Sequence, residues 1–181
     1  YEYNEDLCME SVTTPRGIVG VRNTYDGVGR VVKQVTASGG AVEFRYDDGG
    51  MRTYEKDQNG NLIFYESDES FRNVRTVYSD SEELFQYNGD GRLTLYTDRN
   101  GNRTAYSYDR EGNLTGITDA LGRQTRFTRG GKGHLLTASI GGKVVRRNDY
   151  DGKGHLVKTT DALGRARETV YGNDGLPEQV I

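Results

Sequence analysis

A period of 21 residues runs through this chain, and it restricts the available folds more than any other feature. The segment Tyr108-Asp109-Arg110-Glu111-Gly112-Asn113-Leu114 shows it most clearly. One period earlier stands Tyr87-Asn88-Gly89-Asp90-Gly91-Arg92-Leu93, and two periods later Tyr150-Asp151-Gly152-Lys153-Gly154-His155-Leu156. Tyr25-Asp26-Gly27-Val28-Gly29-Arg30-Val31 is a further clear copy, and the unit at Tyr171 is shortened by one residue. Tyr46-Asp47-Asp48-Gly49-Gly50-Met51 is looser. Ser67 fills the Tyr slot of a degenerate unit, and Arg129 replaces Tyr in Arg129-Gly130-Gly131-Lys132-Gly133-His134-Leu135. Unit starts fall at 25, 46, 67, 87, 108, 129, 150 and 171. Residues 1–23 form a poorly matched N-terminal unit, with Tyr3 as its start, and 24–181 form the array.

Each unit carries a second turn half a period on. The clean pair is Thr118-Asp119-Ala120-Leu121-Gly122-Arg123 and Thr160-Asp161-Ala162-Leu163-Gly164-Arg165. Asp accepts from backbone N–H groups two residues on, and Gly takes the left-handed conformation without strain. The runs between turns, such as Leu114 to Thr118 and Arg103 to Tyr108, are short, alternating and rich in Thr, Tyr and Val. Such spacing predicts an all-β fold of tandem hairpins, with turns at Gly60, Gly91, Gly101, Gly112, Gly122, Gly154 and Gly164. Eight or nine units of two strands each give about 16 to 18 strands, a width at which a sheet curls or twists. Such an arc has two open edges, which favours a piece of a larger assembly.

Composition fits a thin sheet. Leu, Ile, Val and Phe make up about a fifth of the 181 residues, and mean hydropathy is -0.80. The 13 Tyr supply the missing apolar area. Tyr106 and Tyr108 share a face, as do Phe44 with Tyr46 and Phe85 with Tyr87, predicting an aromatic ladder across the sheet. Tyr25, Tyr46, Tyr87, Tyr108, Tyr150 and Tyr171 are read as equivalent, substantially buried sites that Arg129 interrupts.

The chemistry-bearing residues all have plainer readings. His134 and His155 share a repeat position with Arg92 and Asn113, so they flank turns rather than bind metal. Asn88 to Gly91 lacks the oxygen ligands of a calcium loop. The acidic stretches Glu66 to Ser70 and Asp80 to Glu83 read as a solvated, irregular loop. No nucleophile elbow or phosphate loop is present, so neither catalysis nor a cofactor is expected. Net charge is -3 with no basic stripe, which argues against nucleic acid, and no apolar run is long enough for a helical membrane span. Cys8 is alone, so no internal disulfide forms. The chain begins at Tyr1, which reads as a processed piece or fragment.

The pattern Tyr-Asp-x-x-Gly-x-Leu followed by Thr-Asp-x-x-Gly resembles the YD repeat of Rhs proteins. Residues 108–128 carry it best, and the resemblance extends from Thr24 to Leu176. The structural residues it picks out are Tyr25, Gly29, Tyr46, Tyr87, Gly91, Tyr108, Gly112, Asp119, Gly122, Tyr150, Gly154, Asp161, Gly164 and Tyr171. The resemblance implies a curved, spiralling antiparallel sheet, one stretch of a hollow cocoon enclosing a C-terminal toxin, as in Tc toxins, bacterial polymorphic toxins and the related teneurins. It implies a toxin domain of the same or a neighbouring polypeptide as partner, and a secreted or cell-surface location. The chain is much shorter than full-length members and has no self-cleavage motif of the Asp-Pro-x-Gly kind, so no protease residues are assigned. The alternative is a repeat module binding surface carbohydrate. Repeats of that type rely on Trp and adjacent aromatic pairs, but this chain has no Trp and one such pair, Phe64-Tyr65.

Overall fold

The computed structural model describes residues 1–47, 49 and 51–181. Asp48 and Gly50 of the looser turn lie outside the described residues. Eighteen strands and no helix occur among the described residues, so no helix is long and apolar enough to cross a membrane. Contacts divide the chain into two units, Tyr1–Phe85 with Asp98–Asn100, and Gln86–Thr97 with Gly101–Ile181.

The first unit is an antiparallel meander. Its strands are β1 (Glu2–Tyr3), β2 (Met9–Thr13), β3 (Val19–Tyr25), β4 (Val31–Thr36), β5 (Ala41–Tyr46), β6 (Arg52–Lys56), β7 (Leu62–Ser67), β8 (Asn73–Val77) and β9 (Glu82–Tyr87), whose last two residues fall in the second unit. Each pairs with the next in chain order. The second unit repeats the plan with β10 (Leu93–Thr97), β11 (Arg103–Tyr108), β12 (Leu114–Thr118), β13 (Gln124–Arg129), β14 (Leu135–Ile140), β15 (Lys143–Tyr150), β16 (Leu156–Asp161), β17 (Ala166–Tyr171) and β18 (Pro177–Val180). Here too consecutive strands pair antiparallel.

The residues 103–108 and 114–118 predicted as strands are β11 and β12. Gly60, Gly91, Gly101, Gly112, Gly122, Gly154 and Gly164 all have positive φ, between 75° and 95°. Register slips by one residue next to Tyr25, Tyr108, Arg129, Tyr150 and Tyr171, where each strand enters its turn. A three-residue hairpin closed by a left-handed residue produces this bulge.

No hydrophobic side chain among the described residues is fully buried. Along β11 and β13 one face is half-buried, with Thr104, Tyr106 and Tyr108, then Thr125, Phe127 and Arg129, and the other is exposed. The fully buried residues are polar: Ser11, Asn23, Thr76 and Asn148. Stability therefore rests on ladder hydrogen bonds, on half-buried rings and on locked turns.

The acidic stretches depart from the sequence reading. Glu66 and Ser67 end β7, Glu82 and Glu83 begin β9, and Asp68 starts a regular turn. Arg52 reaches Glu66 at 3.1 Å, and Arg75 bridges Glu66 at 3.4 Å and Glu82 at 2.7 Å. Glu66 on β7 and Glu82 on β9 flank Arg75 on β8, which keeps these segments in the sheet instead of releasing them as a loop.

Candidate functional site: the turn lock and the tyrosine weld

The main turns starting at residues 4, 26, 68, 88, 109, 130, 151 and 172 use five residues and one hydrogen-bond pattern. The first residue donates its N–H to the carbonyl of the fifth and accepts from the N–H of the fourth, as in Asp109 with Asn113 and Gly112. Where the first residue has a side chain, it then holds the loop. Oδ1 of Asp151 accepts from the N–H groups of Lys153 and His155, each at 2.9 Å, and Oδ2 meets Nδ1 of His155 at 2.9 Å. Asp26 treats Val28 and Arg30 in the same way, with Arg30 Nε donating to Oδ2 at 2.8 Å. The second turns at Asp57, Asp119 and Asp161 are built in the same way. Arg123 Nε donates to Asp119 Oδ2 and Arg165 Nε to Asp161 Oδ2, both at 2.6 Å.

These bonds favour the ionised carboxylate. Asp26, Asp119 and Asp151 are held below the usual carboxylate range first by the backbone N–H of the fifth residue, Asp151 down to about 2. In Asp57, Asp68, Asp109 and Asp161 the side chain of the fifth residue is the leading cause. Asn88 and Asn4 fill the first position elsewhere, each accepting the same two backbone N–H groups. The poorly matched N-terminal segment therefore closes its first hairpin by the same device.

The repeat tyrosines join one turn to the next. The hydroxyl of Tyr46 donates to the carbonyl of Val31, Tyr108 to Leu93, Tyr150 to Leu135 and Tyr171 to Leu156, at 2.7 to 3.2 Å and always 15 residues back. Tyr25 reaches Met9 at 2.6 Å. Each acceptor follows the fifth residue of the preceding turn in the repeat, and the rings of Tyr46, Tyr150 and Tyr171 cover that fifth residue. The Arg30 guanidinium lies 4.5 Å from the Tyr46 ring centre, and the His134 and His155 rings stack at 4.7 Å on Tyr150 and Tyr171. Tyr25, Tyr46, Tyr87, Tyr108, Tyr150 and Tyr171 are all half-buried rather than buried, because the sheet has no second layer over them.

Arg129 does not interrupt the series. Its Nε donates to the Leu114 carbonyl at 3.2 Å, again 15 residues back, and its Nη1 donates to Gly133. A long planar donor replaces the phenol. Asn23 and Asn148, two residues before Tyr25 and Tyr150, donate to the carbonyls of Met9 and Leu135 that those tyrosines also engage. They stand where other units carry Phe44, Phe85 or Tyr106, so the aromatic pair is not universal. Asn148 Oδ1 also accepts from Arg146 and Thr159, so this buried amide is well partnered.

The glycines of the two turn types differ. A Cβ on Gly154 would lie 2.7 Å from His134 Cε1, and one on Gly133 would lie 3.2 Å from Asn113 Oδ1. Gly112 similarly faces Arg92, so successive main turns stack glycine against the fifth residue. At Gly101, Gly122 and Gly164 the space is open, and only φ requires glycine. Gly29 and Gly91 also have positive φ, whereas Phe71 takes that position at φ 59° in the Asp68 turn.

A tandem array of hairpins, most of them locked at the first turn residue and many welded to the preceding turn through a backbone carbonyl, defines a β-repeat protein. Residues 87–124 and 108–144 match the RHS repeat. The crystal structure of TcdB2-TccC3 without its hypervariable C-terminal region is similar over 88% of this chain, with a TM-score of 0.70 and 15% identity. A Photorhabdus luminescens Tc holotoxin pore is similar over 91%, with a TM-score of 0.50 and 14% identity. This chain spans 10% and 11% of those two chains. No curated protein matches. This chain therefore carries RHS repeats over residues 87–144.

Proposed function

We propose that this chain is a stretch of wall in an Rhs-type shell that encloses or presents a C-terminal toxin polypeptide, and that it has no catalytic role of its own. The observation that carries this reading is the two-sided character of the sheet: no described hydrophobic residue is fully buried, and the buried side chains are polar. Such a layer does not need another layer packed on it, so water or another polypeptide can occupy either side. The likeness to TcdB2-TccC3 supports the reading, since that structure is described as lacking a hypervariable C-terminal region. A secreted or cell-surface location goes with it.

The carbohydrate alternative has less support. Sugar stacking needs open ring faces, but Arg30, His134 and His155 already cover faces of Tyr46, Tyr150 and Tyr171. The test is limited proteolysis of the polypeptide that carries this chain, with and without residues 24–181. The wall reading expects the C-terminal region to become protease-sensitive on deletion. Unchanged protection, together with saturable glycan binding abolished by Tyr108→Ala, would replace it with the carbohydrate module.

A further inference from the structure

The turns at 130–134 and 151–155 differ by one residue. Gly130-Gly131-Lys132-Gly133-His134 repeats Asp151-Gly152-Lys153-Gly154-His155 with glycine in place of the aspartate. Their backbones close alike. The first N–H donates to the fifth carbonyl at 2.9 and 3.0 Å, and the first carbonyl accepts from the fourth N–H at 2.8 and 3.1 Å. Gly133 and Gly154 both have positive φ, 77° and 95°. In the later turn Asp151 takes up the N–H groups of Lys153 and His155. In the earlier turn Gly130 supplies no side chain, and among the described residues no acceptor takes the N–H groups of Lys132 and His134. The His134 and His155 rings stack alike on Tyr150 and Tyr171, at 4.7 Å each, so Nδ1 of His134 is the counterpart of the atom that meets Asp151 Oδ2.

Two further observations point to what this turn takes up. The turn at 172–176 also begins with glycine, and there carboxylates crowd the place of the missing side chain. A Cβ on Gly172 would lie 2.6 Å from Glu178 Oε1 and 2.9 Å from Asp174 Oδ1, and Asp174 accepts from the N–H of Leu176 at 3.0 Å. Glu178 is the second residue of β18, and the second residue of β14 is Leu136. Leu136 meets a Cβ on Gly130 at 3.6 Å and has no carboxylate to offer. The charge differs as well. Residues 129–134 carry two positive charges, Arg129 and Lys132, where residues 150–155 carry one of each sign, Lys153 and Asp151. Arg129 is anchored to the turn by its bond to the Gly133 carbonyl at 2.9 Å. Arg129, Gly130, Lys132 and Gly133 line a cleft of about 650 Å³. Asp109 and Glu111 line it too, but Asp109 is committed to the backbone and side chain of Asn113. Converging amide N–H groups beside fixed cations form an anion site. We propose that the turn at 130–134 is a carboxylate-binding site. It takes an aspartate or glutamate side chain of another polypeptide, or a free carboxylate anion, on the donors that Asp151 occupies in its own turn. The site does not depend on what the sheet encloses.

The experiment is an acetate titration of the chain followed by amide NMR at neutral pH, with sodium acetate replacing sodium chloride at constant ionic strength. The reporters are the N–H groups of Lys132 and His134. Those of Lys153 and His155, the same residue types in the same turn, are the internal controls, since Asp151 already holds them. Acetate should shift the first pair saturably and leave the second in place. Half-saturation should fall in the millimolar range, as for two charge-assisted hydrogen bonds at an exposed site. Gly130→Asp should abolish the response and move the Lys132 and His134 amides toward the positions of Lys153 and His155. A Cβ at 130 meets Leu136 at an ordinary contact distance, so the variant suits the geometry. Leu136→Glu, copied from Glu178, should abolish the response as well. A blocked Ala-Asp-Ala peptide, with blocked Ala-Asn-Ala as its neutral control, separates the two sources. Half-saturation at a lower concentration than acetate assigns a polypeptide side chain, and half-saturation at an equal or higher one assigns a free carboxylate anion. Absence of a saturable acetate shift, an equal shift at the control turn, or a response that survives in Gly130→Asp would overturn the proposal. If a variant fails to fold, the wild-type comparison of the two turns decides alone.

Discussion

Gly154→Ala and Gly122→Ala separate the two jobs that glycine does in this array. Both residues have positive φ, 95° and 75°, so an alanine at either carries the left-handed penalty, about 1–2 kcal/mol. Both variants also reduce unfolded-chain entropy by about the same amount, which cancels in the comparison. The difference is steric. Nothing lies within 4 Å of a Cβ on Gly122, but one on Gly154 would come within 2.7 Å of His134 Cε1. The His134 ring must then leave its stack on Tyr150, forfeiting about 0.5–1.5 kcal/mol more. Urea denaturation should therefore show Gly154→Ala as the costlier variant by about 1 kcal/mol. His134→Ala should remove that excess in a double-mutant cycle, and it should show no coupling to Gly122→Ala. Equal costs at the two glycines, or no coupling between 154 and 134, would refute the stacking of successive turns.

The tyrosine weld predicts a graded series. Tyr108→Phe should lose the hydrogen bond to Leu93, about 0.5–1.5 kcal/mol, and Tyr108→Ala should cost about 2–3 kcal/mol, less than a fully buried ring. Arg129→Tyr should leave stability within about 0.5 kcal/mol, since either side chain reaches the Leu114 carbonyl. Asp119→Asn should retain the second-turn fold, as Asn88 does in its own turn, while Asp119→Ala should raise the exchange rates of the Leu121 and Arg123 amides. The turn aspartates have folded pKa values below their unfolded ones, so their contribution is present above about pH 4 and lost as pH falls through the folded values, about 2 for Asp151. Circular dichroism should accordingly show acid unfolding between about pH 4 and 2.

The hairpins were legible in the sequence because one short motif carries all the information a turn needs. Asp at the start and Gly three residues on appear in the same order at 109 and 112, 119 and 122, 151 and 154, and 161 and 164. What was not legible lies between units. The fifth residue of an Asp-led turn is Arg, Asn or His, so residue type alone conceals that Asp109–Asn113 and Asp161–Arg165 are one interaction. The partner of the hydroxyls of Tyr25, Tyr46, Tyr108, Tyr150 and Tyr171 is a backbone carbonyl, which leaves no trace in side-chain pattern. Arg129 looked like a break because its chemistry differs from tyrosine, although its reach and donor suit the same carbonyl. Phe71 hid a regular turn because it takes a conformation normally left to glycine. Burial of the tyrosines was overestimated because ring size suggests a core, and a single layer provides only a half-buried face.

The wall reading makes a direct demand: the two faces of this sheet must differ in access when the chain sits in its complete polypeptide. Cys8 is the only cysteine, so Cys8→Ser gives a background for single thiols. Ser107→Cys reports the exposed face of β11, and Thr125→Cys on β13 reports the face that carries Tyr106 and Tyr108. A small maleimide should label both sites. A maleimide carrying a polymer of several kilodaltons should label one face and spare the other until the polypeptide is opened by denaturant. Equal labelling of both faces by the large reagent in the native state would contradict the account.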